Sequence, residues 1–402
     1  MPASTSETYV WTWLSGCDDP VPAGILDGKD RLRFRYGTSY LAREDAVSLG
    51  PDLPLGQRWF TSPVPDLVMP GTIRDAAPDA WGRRVVAARL GTTHELPEVT
   101  YLLESGTDRF GALDFQASPV HYQPRDENAT IDDLLTAADL VAAGEALPQS
   151  LSAAILRGTS LGGARPKAVF TDDDGTKWLA KFSTSDDPYP VVNAEAACLD
   201  LARRVGVDVP DSHVIRIMGR DVLLVERFDR NLDGTRRMCV SGLTLLDLGE
   251  MTARYGTYPD LLDVLIAHGA PPQTRKELFM RIALNMAVTN TDDHLRNHAA
   301  FWDGSTVRLT PAYDICPTPR SGDTAFQALT YGRNGERKTN LNSLVDCCEV
   351  YGLSRAQALD AIEHVVMTIR EGWEDAADQA RMPTTWAKRF LGEQILHPSL
   401  MY

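Results

Sequence analysis

The sequence has no long apolar run. None of its hydrophobic stretches reaches the roughly 20 residues that an α-helix needs to cross a bilayer. The first ten residues, MPASTSETYV, also lack the basic and apolar regions of a secretory signal. We therefore expect a soluble, cytoplasmic protein.

Cysteine is scarce and shows no ligand spacing. The six cysteines form no CxxC pair, and Cys347 and Cys348 are adjacent. This pattern argues against a zinc knuckle and against a disulfide framework, and it fits a reducing compartment.

Positive charge is also in deficit. Lys and Arg together number 40 against 55 Asp and Glu, so the net charge is -15. A chain of this charge is not expected to hold nucleic acid through its overall field, although a local basic patch or a DNA-binding partner is compatible with it.

The length of 402 residues, with 43% hydrophobic and 24% charged residues, predicts two or three globular units. Residues 1–115 open with short strand-like pieces such as RLRFRY, followed by a helix that starts near Pro78 or Asp79. Residues 116–238 form the second unit. Residues 239–402 are predicted to be mostly helical, with two or three helices in the tail 353–396.

Within the second unit, residues 168–228 predict the order strand, strand, helix, strand, strand. An Asp-Gly turn joins the first two strands, of which the second is Lys177–Phe182. The helix in NAEAACLDLARRVGVDVP is expected to have Asn193 as its N-cap and to end at Gly206.

A polar stretch, VTNTDDHLRNHAAFW, follows the most apolar predicted helix. Asp292 and Asn297 are five positions apart, a predicted hairpin follows, and Asp314 comes next, between two prolines. Protein kinases present a catalytic Asp, an Asn that binds Mg²⁺ and a second metal-binding Asp in this order. We therefore predict Asp292 as the general base and Asn297 and Asp314 as metal ligands, with His294 orienting the loop through a backbone carbonyl.

Other interpretations of this stretch stay open. Asp, Asn and Thr are common where a helix ends, because they satisfy free backbone groups. Asp293 competes with Asp292 as the base, and a metal site made by Asp292, Asp293 and His294 is a further alternative.

Lys181 and Glu195 lie upstream of this stretch. Lys181 shares a strand face with Leu179, and Glu195 lies on or beside the apolar stripe of the next helix. A strand Lys paired with a helix Glu is the kinase arrangement that holds the α- and β-phosphates. An edge-strand Lys and a solvated Glu are the alternatives.

The stretch RGTSLGGARPKA precedes the Lys181 hairpin and is rich in glycine and positive charge. It is not a Walker A sequence, but its backbone amides could approach phosphates closely. A flexible linker is the alternative. The predicted nucleotide-binding residues here are Gly158, Ser160, Gly162, Gly163 and Lys167.

The stretch LLVERFDR ends the last predicted strand of the second unit, where a kinase hinge would offer backbone groups to adenine. Its predicted nucleotide neighbours are Glu226 and Phe228. An ordinary strand end is the alternative.

Taken together, SLGGARPKA, WLAKF, VERFDR, NTDDHLRNHA and LTPAYDI resemble the HipA family of serine/threonine-kinase toxins, over nearly the whole chain. The resemblance implies an α+β fold: a bilobal, protein-kinase-like chain with an N-terminal β-rich subdomain and a mostly helical C-terminal lobe. It also implies ATP and Mg²⁺ as cofactors and the roles given above for Lys181, Asp292, Asn297 and Asp314.

Further implications concern regulation and partners. In the family a serine of the Gly-rich loop is autophosphorylated and silences the kinase. Ser160 matches that position, with Thr159 as its neighbour. A separate HipB-like antitoxin that binds DNA is expected, and the protein substrate could be an aminoacyl-tRNA synthetase. The competing functions are a small-molecule kinase acting on an antibiotic or sugar, and a non-catalytic regulator that binds nucleotide or an antitoxin.

Overall fold

The computed structural model describes residues 7–125, 130–145, 147–148, 151, 165–184, 186–320 and 322–401. It is a mixed helix and sheet protein, as predicted. None of the helices within these residues is long and apolar enough to cross a membrane.

The N-terminal unit is an antiparallel four-stranded sheet with short helices around it. The strand order is β3-β2-β1-β4, so the last strand closes the sheet beside the first. The strands are β1 (Glu7–Thr12), β2 (Val21–Asp27), β3 (Arg33–Tyr36) and β4 (Leu113–Gln116). The helices are α1 (Thr38–Leu41), α2 (Gly71–Asp75), α3 (Ala80–Arg89) and α4 (Glu98–Glu104). As predicted, Asp79 caps α3, accepting a hydrogen bond from the Gly82 N–H.

The second unit is an antiparallel sheet with the order β5-β6-β8-β7. Its strands are β5 (Lys167–Thr171), β6 (Lys177–Phe182), β7 (Ser212–Ile217) and β8 (Arg220–Glu226). Its helices are α5 (Ile131–Ala143), which precedes β5, and α6 (Val191–Val205), between β6 and β7. The predicted order strand, strand, helix, strand, strand is confirmed.

The two faces of this sheet have different neighbours. Ala180 and Phe182 pack with Trp81 of α3 and with helix α5. Leu223 and Val225 belong to the main core that includes α6. Lys181 lies on the second face, because side chains alternate along a strand, and its register partner on β5 is Lys167.

The start of α6 differs from the prediction. Pro190, not Asn193, is the N-cap residue, because the helix already begins at Val191. Asn193 is buried, and its Nδ2 donates to the backbone oxygen of Ala380 at 2.9 Å, which fastens α6 to the C-terminal helices. Gly206 ends the helix as predicted, with a φ of 88° that favours glycine.

The third unit is mostly helical around a small three-stranded sheet with the order β11-β10-β9. Its strands are β9 (Cys239–Ser241), β10 (Ala299–Trp302) and β11 (Val307–Leu309). Its helices are α7 (Gly242–Leu245), α8 (Tyr258–Ala267), α9 (Thr274–Ala287), α10 (Leu341–Asp346), α11 (Arg355–Gln379) and α12 (Thr384–Glu393). Short 3-10 helices lie at Ala253–Tyr255, Leu295–Asn297, Cys348–Tyr351 and Pro398–Met401.

A buried ion network joins the N-terminal unit to the segment that follows β8. Arg227 contacts Asp108 at 3.0 Å and Asp229 at 2.8 Å, and Arg230 contacts Asp108 at 2.8 Å. Burial alone would raise the pKa of Asp108, but Arg227 and Arg230 bring it well below its usual range. The network therefore fixes the segment after β8 against the N-terminal unit.

Candidate active site

A cavity of about 200 Å³ lies between the sheet of the second unit and the polar loop of the third. Its walls bring together seven of the residues predicted from the sequence: Lys181, Glu195, Glu226, Phe228, His294, Asn297 and Asp314. The N-terminal unit also contributes to the walls, through Asp75 and Phe110, which sequence reasoning did not identify.

Lys181 is the centre of the charges in this cavity. Its Nζ lies 2.5 Å from Oε1 of Glu195 and forms a second ion pair with Asp314. Burial disfavours the charge of Lys181, but Asp314 and Glu195 together raise its pKa above the ordinary value. Lys181 is thus a fixed cation held between a helix carboxylate and a loop carboxylate.

Asp314 combines an unusual backbone with an accessible carboxylate. Its φ is 60°, a left-handed conformation that Asp tolerates better than most residues, and the side chain of Asn290 donates to its backbone oxygen at 3.3 Å. Burial would raise its pKa, but Lys181, Lys167 and His294 lower it below the ordinary value. Its side chain is 41% exposed and lines the cavity, so an ionised carboxylate is available there.

Asp292 and Asn297 lie in the loop after α9. The Asp292 side chain is exposed, and the Asn297 side chain is buried. Nδ2 of Asn297 donates to the backbone oxygen of Asp292 at 3.3 Å, which leaves its amide oxygen for the cavity. The loop geometry therefore depends on the backbone of Asp292, whose exposed side chain is not among the residues that line the cavity.

Asp293 has a different environment from its neighbour. It is 3% exposed, and its carboxylate accepts hydrogen bonds from Tyr258 Oη, from Asn285 Nδ2 at 2.7 Å and from His298 Nε2 at 2.9 Å. A carboxylate committed to three buried donors cannot also act as a base on a substrate. Asp293 instead fastens the loop between Asp292 and Asn297 to α8 and α9.

His294 lines the cavity, and among the described residues its imidazole makes no hydrogen bond to a backbone carbonyl. Its Nδ1 is buried without a hydrogen-bond partner among the described residues, and it is the His294 backbone oxygen that accepts, from the Asn297 N–H at 2.8 Å. The turn of 3-10 helix at Leu295–Asn297 shapes the loop through backbone bonds, which leaves the imidazole free to face the cavity.

Lys167 is not part of the cavity wall. Its Nζ lies 3.2 Å from Asp79, the N-cap of α3, and both side chains are buried. Burial lowers the pKa of Lys167 and raises the pKa of Asp79, so the pair is held in a water-poor site. The four other residues predicted to bind nucleotide in this stretch, and the alternative phosphoacceptor, lie outside the described residues: Gly158, Thr159, Ser160, Gly162 and Gly163.

The segment after β8 forms another wall of the cavity through the aromatic ring of Phe228, whose centroid lies 5.7 Å from that of Tyr313. The N–H groups of Glu226 and Arg227 donate to the backbone oxygens of Asp211 and Lys177, each at 2.8 Å. Those two donors are therefore unavailable to a purine, so a base bound here would rely on Phe228 and the residues beyond it.

The donor chemistry of the cavity suits a hard cation. Oxygen ligands are what Mg²⁺ prefers, and Asn297 and Asp314 present an amide oxygen and an ionised carboxylate. Among the described residues, no group of three His, Cys, Asp or Glu side chains could hold a metal. The alternative metal site at Asp292, Asp293 and His294 is therefore wrong.

Two family profiles and a curated relative match this chain. The profile of the HipA-like C-terminal domain matches residues 159–373, and that of the HipA N-terminal domain matches residues 18–116. A protein of Sinorhizobium fredii (strain NBRC 101917 / NGR234) named "Putative kinase Y4mE" is 26% identical over 311 residues, which cover 71% of this chain and 72% of that protein.

A solved structure shows the same fold. HipA of Shewanella oneidensis MR-1, in a complex with HipB and its operator DNA, aligns with a TM-score of 0.67 and 18% identity, over 93% of this chain and 94% of that chain. More than half of the chain matches the HipA-like C-terminal domain, and the N-terminal domain precedes it in the expected place. The chain therefore belongs to the HipA family of kinase toxins.

Proposed function

We propose that this protein is an ATP- and Mg²⁺-dependent protein serine/threonine kinase of the HipA type. The observation that carries the proposal is Lys181, held between Glu195 and Asp314 in a cavity that also contains Asn297. Lys181 can bind the phosphates of a nucleotide if they replace Asp314 as its ion-pair partner.

The remaining residues have complementary tasks. The exposed carboxylate of Asp292 accepts the proton of the attacking hydroxyl. Asn297 and Asp314 supply oxygen ligands, and Mg²⁺ held by them would neutralise charge on the phosphate oxygens. Phe228 packs against the base of the nucleotide.

The resemblance to the family supports a self-silencing step at Ser160. Phosphorylation of Ser160 would add close to two negative charges. These charges would repel the phosphates of ATP, so the modified protein would bind ATP less well. We propose Ser160 as the phosphoacceptor, with Thr159 as the less favoured alternative.

We further propose that a HipB-like, DNA-binding antitoxin is the partner, since the HipA structure of Shewanella was solved with HipB and operator DNA. The net charge of -15 is consistent with DNA contact mainly through that partner. The substrate is proposed to be a protein of the translation machinery, such as an aminoacyl-tRNA synthetase.

The deciding experiment incubates the purified protein with Mg²⁺ and ATP and locates phosphate by intact mass and peptide fragmentation. We expect one phosphate on Ser160 in the parent, and none in Asp292→Ala or Ser160→Ala. Nucleotide binding without any labelled residue would contradict autophosphorylation and would favour the small-molecule kinase or the regulator.

Lys181→Met is expected to raise the Kd for Mg-ATP by about tenfold, because a charge-assisted contact to phosphate is lost. Titration calorimetry measures this, with Lys29→Met, an exposed lysine of the N-terminal unit, as the control. An unchanged Kd in Lys181→Met would show that Lys181 does not contact the nucleotide.

A further inference from the structure

A second cavity, of about 760 Å³, lies between the N-terminal unit and the β10–β11 hairpin and shares no wall residue with the active-site cavity. Trp13 and Val47 form its N-terminal side, and Phe301 and Arg308 form the hairpin side. The segment 235–238 lies between the two sides. We name this cavity the arginine groove.

Three arginines in the groove lie over aromatic rings. The guanidinium carbon of Arg236 is 3.4 Å from the ring centroid of Trp13. Phe301 has Arg237 at 3.2 Å and Arg308 at 5.7 Å. Phe301 and Arg308 are register partners on β10 and β11, so the sheet itself sets this arrangement. Stacking of this kind fixes the arginines. Nη1 of Arg236 donates to the backbone oxygen of Thr107 at 2.9 Å and Nη1 of Arg237 to that of Phe228 at 3.5 Å, so the other N–H groups are the ones that can bind an anion.

Among the described residues, no carboxylate lies within ion-pair distance of these arginines, although Asp108 and Asp114 favour the charge of Arg236 at longer range. Within the described part of the chain, no ion pair is formed by Arg236, Arg237 or Arg308. The two acidic residues of the groove are already engaged. Asp45 pairs with Arg43 at 2.8 Å, and Asp303 accepts hydrogen bonds from the residues that follow it in its own turn.

The surroundings of the arginines penalise their charge further. Burial, with the charge of Arg308 adding to it, lowers the pKa of Arg237. Burial and the charge of Arg230 lower the pKa of Arg236 to about 10. A bound anion would relieve this penalty by stabilising the charged arginines. A cluster of cations without ion pairs is unusual in a chain whose net charge is -15.

We propose that the arginine groove binds an acidic peptide segment of a partner protein, with Asp or Glu carboxylates contacting Arg236, Arg237 and Arg308. The apolar surfaces of Val47, Met238 and the rings suit the stems of peptide side chains. A long polyanion such as nucleic acid would be repelled by the negative charge of the whole chain. A short acidic segment would be repelled over a few residues only, so the groove suits it better.

This proposal concerns binding and does not depend on phosphoryl transfer. Its test measures the fluorescence anisotropy of labelled hexaglutamate with the full chain, in about 50 mM salt and again in about 300 mM salt. We expect binding that weakens with salt, and no binding of hexaglutamine. Arg237→Gln combined with Arg308→Gln should raise the Kd at least about tenfold, because two of the three cations are lost.

The matched control is Arg33→Gln combined with Arg35→Gln. These two arginines lie over the Trp59 ring at 4.2 and 4.6 Å, outside the groove, and their loss should leave the Kd within about twofold. The single variant Arg308→Gln removes an exposed side chain, so it keeps the test valid if the double variant does not fold. We expect it to raise the Kd about threefold.

Several outcomes would overturn the proposal. The first is an absence of hexaglutamate binding, and the second is an equal loss of affinity in the control variant with Arg33→Gln and Arg35→Gln. The third is full displacement of the peptide by millimolar inorganic phosphate, which would indicate a site for small anions only. Tighter binding of a labelled oligothymidylate, lost in the same Arg237 and Arg308 variant, would assign the groove to nucleic acid instead.

Discussion

Asp292→Asn is expected to lower kcat for phosphoryl transfer by about 10²–10⁴-fold while leaving the Kd for Mg-ATP within about twofold. The exposed carboxylate is the proposed proton acceptor, and an amide of the same shape cannot take a proton from a hydroxyl. The loop should keep its geometry, because Asn297 contacts the backbone oxygen of Asp292 and not its side chain.

Single-turnover transfer of labelled phosphate measures the rate, and calorimetry with Mg-ATP measures binding. Glu250→Gln is a suitable control, because its exposed carboxylate pairs with Arg296 of the same loop and has no proposed catalytic task. A variant Asp292→Asn that keeps kcat within about threefold of the parent would remove Asp292 from the base role.

The contact between Lys181 and Glu195 could be anticipated from the sequence. The period of a strand placed Lys181 on the face with Leu179, and the period of a helix placed Glu195 near the apolar stripe. These local rules indicate which way each side chain points. The prediction that Lys181 pairs with Glu195 came from the order in which protein kinases carry these motifs. The structure adds that Asp314 reaches the same lysine from 133 residues away.

The environment of Asp293 could not be anticipated, because nothing in the sequence ties it to Tyr258, which lies 35 residues earlier. In sequence, only the spacing to Asn297 distinguishes Asp292 from Asp293. Their difference arises only when α8 and α9 pack beneath the loop. The same holds for Arg227, which follows the last strand of the second unit in sequence but is buried between Asp108 and Asp229.

Helix capping shows a related limit. The preference of Asn for N-cap positions predicted that α6 would begin at Asn193. The N-cap is Pro190, three residues earlier, and Asn193 instead makes a tertiary contact with the backbone of Ala380. Gly206 was predicted correctly, since its left-handed conformation is a local requirement that few other residues meet.

Asp293→Ala is expected to lower the free energy of unfolding by about 3 kcal/mol or more, whereas Asp292→Ala should change it by less than about 0.5 kcal/mol. Removing the Asp293 carboxylate leaves three buried groups without an acceptor: Tyr258 Oη, Asn285 Nδ2 and His298 Nε2. Each unsatisfied group lowers the free energy of unfolding by about 1–3 kcal/mol. Part of this loss is offset because the variant no longer buries a charged carboxylate.

Urea unfolding of the two adjacent variants measures this difference, and Tyr258→Phe isolates one of the three hydrogen bonds, with an expected loss of about 1 kcal/mol. Equal stabilities of Asp293→Ala and Asp292→Ala would show that the buried bonds do not hold the loop. The expected pattern separates two neighbouring carboxylates by their tasks. Loss of Asp292 is expected to remove the proposed base from a folded protein, and loss of Asp293 to release the loop that carries both Asp292 and Asn297 from the helices beneath it.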